Sequence, residues 1–483
     1  MAEGMTGAGD FIIEELVLIT SNNLVVDLTA SVVGLTLFES ITDMCVSGTI
    51  AIQDSINLAS YGPIIGQEYL HLKITTPFVN SEDTAIDFSE NAFFVHTISK
   101  RQEINNGIQG YVLNFTSAEL VKNQRLKVTK KLEGTWADIV EDMMLKEIKT
   151  GKKLLIESTS GIRKFIAPNM RPLDIISMAA KQAIARYKGE PTFIFYESLK
   201  GFNFRTLASL YNEPSRMEYA PYVAGSTFKD GIYDIQKDLS TIIDYEIVNN
   251  NDSLKNYRIG MYGSELIVHD ILNKSYVSQI YNYHDNFSKE EHIVGGTTAK
   301  RPEYPFVSDI MVEDSNDGGR RVSDYPARTF LLPTSLVSGS DSQHQAPNGT
   351  SVYVGYDPQR WVQRRHSQAL QLENAFNINI LVHGNTLINV GDKVNVNIPY
   401  MSVVETEGED QNDKFYSGPF LVKRIRHEFI MTSSPPKHQM YVSLVKDSLE
   451  NKLGAGGPTE PSSPKKAPLD YDYRITLDAD RAI

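Results

Sequence analysis

A chain of 483 residues exceeds one typical domain, and 41% hydrophobic with 22% charged residues is the composition of a globular protein that buries cores. The formal charge of −13 argues against a dedicated nucleic-acid binder, which carries a basic face, although phosphates still slide past an acidic wall that repels them. One cysteine, Cys45, forbids an intrachain disulfide; with no local His it reads as a structural thiol in a protein made in a reducing compartment.

Residues 1–9 read as a flexible N-terminus. The opening MAEGMTGAGD lacks the basic region and apolar run of a secretory leader, and no window reaches the roughly 18 apolar residues of a membrane span, so no membrane anchor is expected. From 10 to 117 the period is close to two. LVVDLTASVVGLTLFES, GTIAIQD, EYLHLKITTP, FFVHTISKRQEI and QGYVLNFTSAEL read as strands of a first β-barrel. Asn106-Gly107 marks a hairpin, because both turn positions need positive φ.

The period changes over 118–240, an expected α+β insertion. EGTWADIVEDMMLKEI sets Trp136, Ile139, Val140, Met143 and Ile148 on one helical stripe, with Thr135 as N-cap and Asp138 three residues on. A second helix starts at Pro172 and turns Ile175, Ile176, Ala179, Ala183 and Ile184 inward; PTFIFYES follows as a strand. Strands return at 241–285 and again at 376–450, and together these are expected to form a second β-barrel. Between them, 286–375 is a loop-rich insert that ends in a helix over 358–376. Its start carries Arg360, Arg364 and Arg365, and its later part buries Leu370 and Leu372 or their neighbours. Residues 451–483 read as a linker, AGGPTEPSSPKKAP, followed by a docking segment, Leu469–Ile483, suited to strand addition.

Three phrases recur in order. Gly66-Gln67-Glu68, FFVHTISK from Phe93 and YVLNFTSAEL from Tyr111 are matched by Gly391-Asp392-Lys393, FLVKRIRH from Phe420 and YVSLVKDSL from Tyr441. Strand lengths are kept while the gaps differ by a few residues, as loops do. The fold class is therefore mainly β with α+β insertions and two similar small β-barrels per chain. As a trimer, such a chain presents six barrels in a pseudo-six-fold ring.

No enzyme motif is present: no GxSxG elbow, HExxH, P-loop or paired cysteines. No catalytic, cofactor-binding or metal residue is assigned, and no cofactor is expected. His269, His284 and His292 lack metal-like spacing. His427, between Arg426 and Glu428 in a strand, reads as a core or interface histidine. Asp314–Gly319 hints at a calcium loop, but Gly319 and Tyr325 hold the sixth and twelfth positions, so the bidentate carboxylate is missing. The acidic run 405–413 reads as a hairpin tip that serves solubility, or as an acidic lip on a lumen or toward a basic partner. Arg360, Arg364 and Arg365 oppose the helix dipole and call for an acidic partner.

VSGTIAIQD, with FES before it and IIGQEYLHLKITTP after it, resembles the first barrel of phage baseplate hub proteins. FYSGPFLVKRIRHEFI and QMYVSLVKDSL resemble the second, and GFNFRTLASLY fits the same family. The order is also similar to the hub portion of type VI secretion spikes and contractile bacteriocins. The resemblance covers residues 10–450 and implies a structural baseplate hub rather than an enzyme. It implies a homotrimer between a six-fold tail tube and a three-fold central spike, with surrounding wedge proteins as further partners and a channel through which DNA passes without specific binding. The implied location is the virion baseplate, after synthesis in the bacterial host cytoplasm. A bacteriocin or secretion hub and a cell-wall hydrolase of the tail tip are the alternative readings.

Overall fold

The computed structural model describes residues 7–450 except 63, 77–84, 106, 224–226, 230–231, 249–251, 272–273, 296–320, 335–355, 375, 400–411 and 414. The DSNDGG run, Asn106, most of the 405–413 tip and the 451–483 tail with Leu469–Ile483 therefore lie outside the described residues. The chain is mainly β.

Strands Ile12–Ile19, Val25–Asp27, Val32–Ser40, Ser47–Asp54, Tyr69–Thr75, Phe93–Asn105 and Ile108–Ser117 form an antiparallel sheet. Alternation turns Leu16, Leu37, Ile50, Leu72, Phe93, Leu113 and Phe115 to one face, where they make a single core. Six further strands close on themselves: Lys393–Val396, Gly418–Ile430, Lys437–Lys446, Phe376–His383, Thr241–Val248 and Ser215–Pro221. Their inward residues, among them Ile378, Val394, Phe420 and Val442, fill the barrel.

The expectation of two similar barrels thus meets one closed barrel and one sheet whose ladders, among the described residues, do not close. The reason is the last strand of each. Ser215–Pro221 runs parallel to both Lys393–Val396 and Thr241–Val248 and bridges them. Ile12–Ile19 pairs with Tyr69–Thr75 on one edge and with three residues of Val25–Asp27 on the other.

The remaining five strands do correspond. The repeated phrases fall on Tyr69–Thr75, Phe93–Asn105 and Ile108–Ser117 in the sheet, and on Lys393–Val396, Gly418–Ile430 and Lys437–Lys446 in the barrel. Leu70 faces Phe93 as Val394 faces Phe420. A register shift lies between Val95 and Thr97, and another between Val422 and Arg424. The next strands outward are Ser47–Asp54 and Phe376–His383, then Val32–Ser40 and Thr241–Val248. There a second shift recurs, between Val32 and Gly34 and between Ile242 and Asp244. Two bulges thus fall at matched positions over five strands, each re-aiming its strand at a fixed point, while two further shifts in Phe93–Asn105 have no counterpart in the barrel.

Three expected boundaries change. Only Thr241–Val248 of the 241–285 segment enters the barrel. Gly263–Asp270 and Ser275–Asn282 instead join Arg328–Pro333 in a separate three-stranded sheet, because Gln363 of helix Val362–Asn374 anchors it, donating to the Ser264 and Gln279 carbonyls at 2.8 and 3.1 Å. The 118–240 insertion gives up Ser215–Pro221 to the barrel. Residues 7–9, expected to be flexible, are pinned: the Gly9 carbonyl accepts from the His438 amide at 2.8 Å, and Ala8 is buried.

Within the insertion, Thr135 and Asp138 form the capping box that starts helix Trp136–Asp142, which widens into a π-turn over Met143–Ile148. Helix Pro172–Gln182 packs beside it. Trp136, Ile139, Ile175, Ile176 and Ala179 share one core with Phe193 and Phe204 of the sheet Leu154–Ile156, Gly201–Thr206 and Phe193–Ser198.

Candidate functional site: the seam between the two β units

The strand Gly418–Ile430 belongs to both β units. Gly418 to Leu421 pair with Lys393–Val396 of the barrel. After the bulge at Lys423 the same edge changes partner, and Arg424 to Ile430 pair with Ser40 to Gly34 of the open sheet. Its other edge pairs with Lys437–Lys446 from Leu421 to Ile430. Phe420, Leu421, Val422 and Ile425 lie in the barrel core, whereas Phe429 lies in the core of the sheet. Two hydrophobic cores therefore hold one strand.

A buried polar chain crosses this seam. His427 Nε2 is 2.9 Å from Glu39 Oε1, and its Nδ1 is 3.1 Å from His438 Nε2. Glu39 Oε2 accepts from the Leu199 amide at 2.9 Å, which ties the insertion to the same point. All three side chains are buried. Burial, and then the neighbouring His427, push His438 well below its ordinary pKa, so it is a neutral imidazole. Its ring stacks on Phe429 at 4.0 Å, and Phe11 packs edge-on against Phe429 at 5.1 Å. The ring also explains Gly384, where a Cβ would sit 2.0 Å from the His438 side chain.

Outside the seam, alternation sets three residues in a row across three strands. Arg426 pairs with Phe38 on one side and Tyr441 on the other. The Arg426 guanidinium lies 3.8 Å above the Tyr441 ring, while Phe38 and Tyr441 remain 40% and 39% exposed. Exposed aromatics around an arginine are the residue types that anchor protein interfaces.

A second ionic cluster fixes the insertion to the sheet. Lys152 Nζ bonds Glu119 at 2.9 Å and Glu197 at 2.6 Å. Glu197 also accepts from the Val46 amide and Ser117 hydroxyl, and Glu119 from Thr150. Burial chiefly, then Lys152, act on Glu197 in opposite senses, and burial prevails, raising its pKa. Half-buried Cys45 sits beside this cluster; burial and then the Glu197 charge raise its pKa and keep the thiol protonated.

His269, His284 and His292 are not brought together: among the described residues no group of His, Cys, Asp or Glu has metal-binding geometry. His292 instead bonds Asp447 at 2.8 Å and the Phe287 carbonyl at 2.7 Å. The helix that carries the arginines begins at Val362, after a 3₁₀ turn over Pro358–Arg360. The acids that Arg364 calls for are internal, Glu290 at 2.7 Å and Glu190 at 3.2 Å. Arg365 donates to the Ala180 and Phe193 carbonyls, and burial lowers its pKa to about 10. Arg360 stays exposed near Asp357. Sequence reasoning missed Glu39, His438, Lys152 and Glu197. For His438 a signal exists, because alternation along Lys437–Lys446 puts it on the inward face with Met440 and Val442.

No family model matches the chain, and no curated protein matches its sequence. Solved structures that resemble it include a tail protein from Neisseria meningitidis MC58, at 10% identity and a TM-score of 0.44, covering 90% of this chain and 96% of that one. The 43 kDa tail protein of prophage MuSo2 from Shewanella oneidensis stands at 11% and 0.45, with 90% and 98% covered. A component of the Escherichia coli type VI secretion system, itself described as similar to T4 bacteriophage tail proteins, stands at 8% and 0.39, with 94% and 80% covered. The structural neighbours of this chain are thus phage tail and baseplate proteins and type VI secretion proteins.

Proposed function

We propose that this chain is the structural baseplate hub of a contractile phage tail. Three copies form a collar between a six-fold tail tube and a three-fold central spike, and the collar leaves a channel for DNA. The observation that carries this reading is the five-strand pattern present twice in one chain with both bulges in register. A three-fold assembly of such chains offers six similar faces to a tube and three identical ones to a spike. The shared strand supports it, because a collar that holds a spike until contraction needs its two halves to move as one body.

The role is mechanical rather than catalytic. Partners in this reading are two further copies, the spike, the tube and the surrounding wedge proteins, and the particle is the virion. The row Phe38, Arg426 and Tyr441 is taken as a contact with the next copy. Native mass measurement tests the reading: a species at three times the 54.1 kDa chain mass is expected, alone or with the spike protein added. A chain that stays monomeric with its spike present overturns it. The same collar would serve a bacteriocin or secretion system, and a neighbouring toxin gene in place of capsid genes would favour that assignment.

A further inference from the structure

A cleft of about 220 Å³ opens where the strands Phe193–Ser198 and Gly201–Thr206 of the insertion meet the turn that leads into Lys393–Val396 of the barrel. Its charged lining is Lys153, Lys200, Arg205, Arg216, Glu213 and Asp392. Two of the cations are spent on the two carboxylates. Arg205 bonds Glu213 at 2.7 Å, and Arg216 lies 3.8 Å from Asp392. Asp392 is further held by the Asn389 amide at 2.9 Å. Lys153 and Lys200 have no carboxylate within ion-pair reach among the described residues. Four cations against two carboxylates leave two positive charges over, on a chain whose total is −13.

Tyr196 lines the same cleft. It is 2% exposed, and its hydroxyl makes no hydrogen bond among the described residues. The ring is packed away while the hydroxyl keeps access to the cleft, so its donor is free to meet a group that enters. The walls are built for close approach. At Gly391, with φ of +85°, a Cβ would sit 2.2 Å from the Tyr196 hydroxyl; at Gly201, with φ of +128°, it would sit 2.4 Å from the Lys153 carbonyl.

We propose that this cleft binds a single oxyanion, a phosphate or a carboxylate, with Tyr196 donating to it and Lys153 and Lys200 supplying the charge. Its volume is below the roughly 300–1,000 Å³ of sites for drug-sized ligands, which favours one anionic group over a nucleotide. The chemistry admits a free inorganic ion or the acidic side chain of a docking protein, and the inference does not depend on the hub reading.

The test is calorimetric titration and thermal unfolding of the full chain with inorganic phosphate and, separately, with N-acetyl-aspartyl amide, against chloride at equal ionic strength. Binding is expected to be lost in Lys153→Gln with Lys200→Gln and kept in Lys181→Gln, a lysine outside the cleft. Tyr196→Phe keeps the ring and is expected to weaken binding about tenfold, the loss of one hydrogen bond to a charged group. Binding of phosphate alone supports the site with a free ion as its ligand, and binding of the aspartyl probe supports it with a protein side chain. Binding of neither probe overturns the proposal. So does binding that survives in the double lysine variant, or a Tyr196→Phe variant that folds and binds as the parent does.

Discussion

Lys152 stands between two carboxylates that are among the most buried in the chain, so its removal leaves Glu119 and Glu197 facing each other without a cation. Breaking a buried pair from one side costs about 3–5 kcal/mol. Lys152→Met is expected to lower the urea midpoint accordingly, and adding Glu197→Gln to recover much of the loss. Two buried histidines answer pH in opposite senses. His438 is held below its ordinary 6.5, so its contribution is full above that value and is lost as pH falls toward the folded one. At His292 burial pulls the pKa down, but Asp447 and the Phe287 carbonyl outweigh it and the net shift is upward. Its contribution is full below 6.5 and is lost as pH rises through the raised value. His292→Asn is therefore expected to lose more stability at about pH 5.5 than at about pH 8, read by denaturant unfolding at each pH. Equal losses would remove Asp447 as the cause.

At the scale of elements, the seam is set by sterics as much as by pairing. Gly384→Ala places a Cβ against the His438 ring and forces the pair Phe376–His383 and Lys437–Lys446 apart. Overpacking of this kind costs about 1–3 kcal/mol, to be read as a lowered melting temperature. Arg426→Ala with Tyr441→Ser removes only exposed surface; it is expected to leave melting nearly unchanged and, if the proposed hub assembly is right, to abolish its trimer in sedimentation. The three recurring phrases do fall on corresponding strands, but one residue out of step. The phrases align Gly66 with Gly391, whereas the ladders set Glu68 against Asp392: the Glu68 carbonyl takes the Val95 amide as the Asp392 carbonyl takes that of Val422. A turn glycine shifts by one without altering the strand behind it, so a motif anchored on glycine slips. The helices were legible because Thr135, Asp138 and Pro172 act within one turn. The parallel strand Ser215–Pro221 was not. Its ladders hold only two residues of Thr241–Val248 and three of Lys393–Val396, and the latter is distant in the chain, so nothing local distinguishes it from the insertion around it.

For the whole molecule, composition and period gave the β class and the α+β insertion, while the sharing of Gly418–Ile430 stayed hidden. A strand displays its inward face in its own sequence, but not which neighbour takes each edge. The polar insert was similarly opaque: Ile293 and Val294, inside the segment taken as surface loop, are buried in the barrel core. The shared strand also makes the two β units interdependent. A chain ended at residue 417 lacks two barrel strands and the Arg424–Ile430 partner of the sheet, so it is expected to be insoluble, read as protein in the pellet. A soluble product would mean that the sheet stands alone.

That dependence has a temporal side. During synthesis Val32–Ser40 leaves the ribosome early, and one of its edges has no native partner until Arg424–Ile430 follows. Throughout that wait the nascent polypeptide exposes a row of unpaired amides and carbonyls that any passing strand can template on. The order of translation therefore makes this a protein whose yield depends on what shields that edge in the meantime, and on how quickly elongation reaches the segment that covers it.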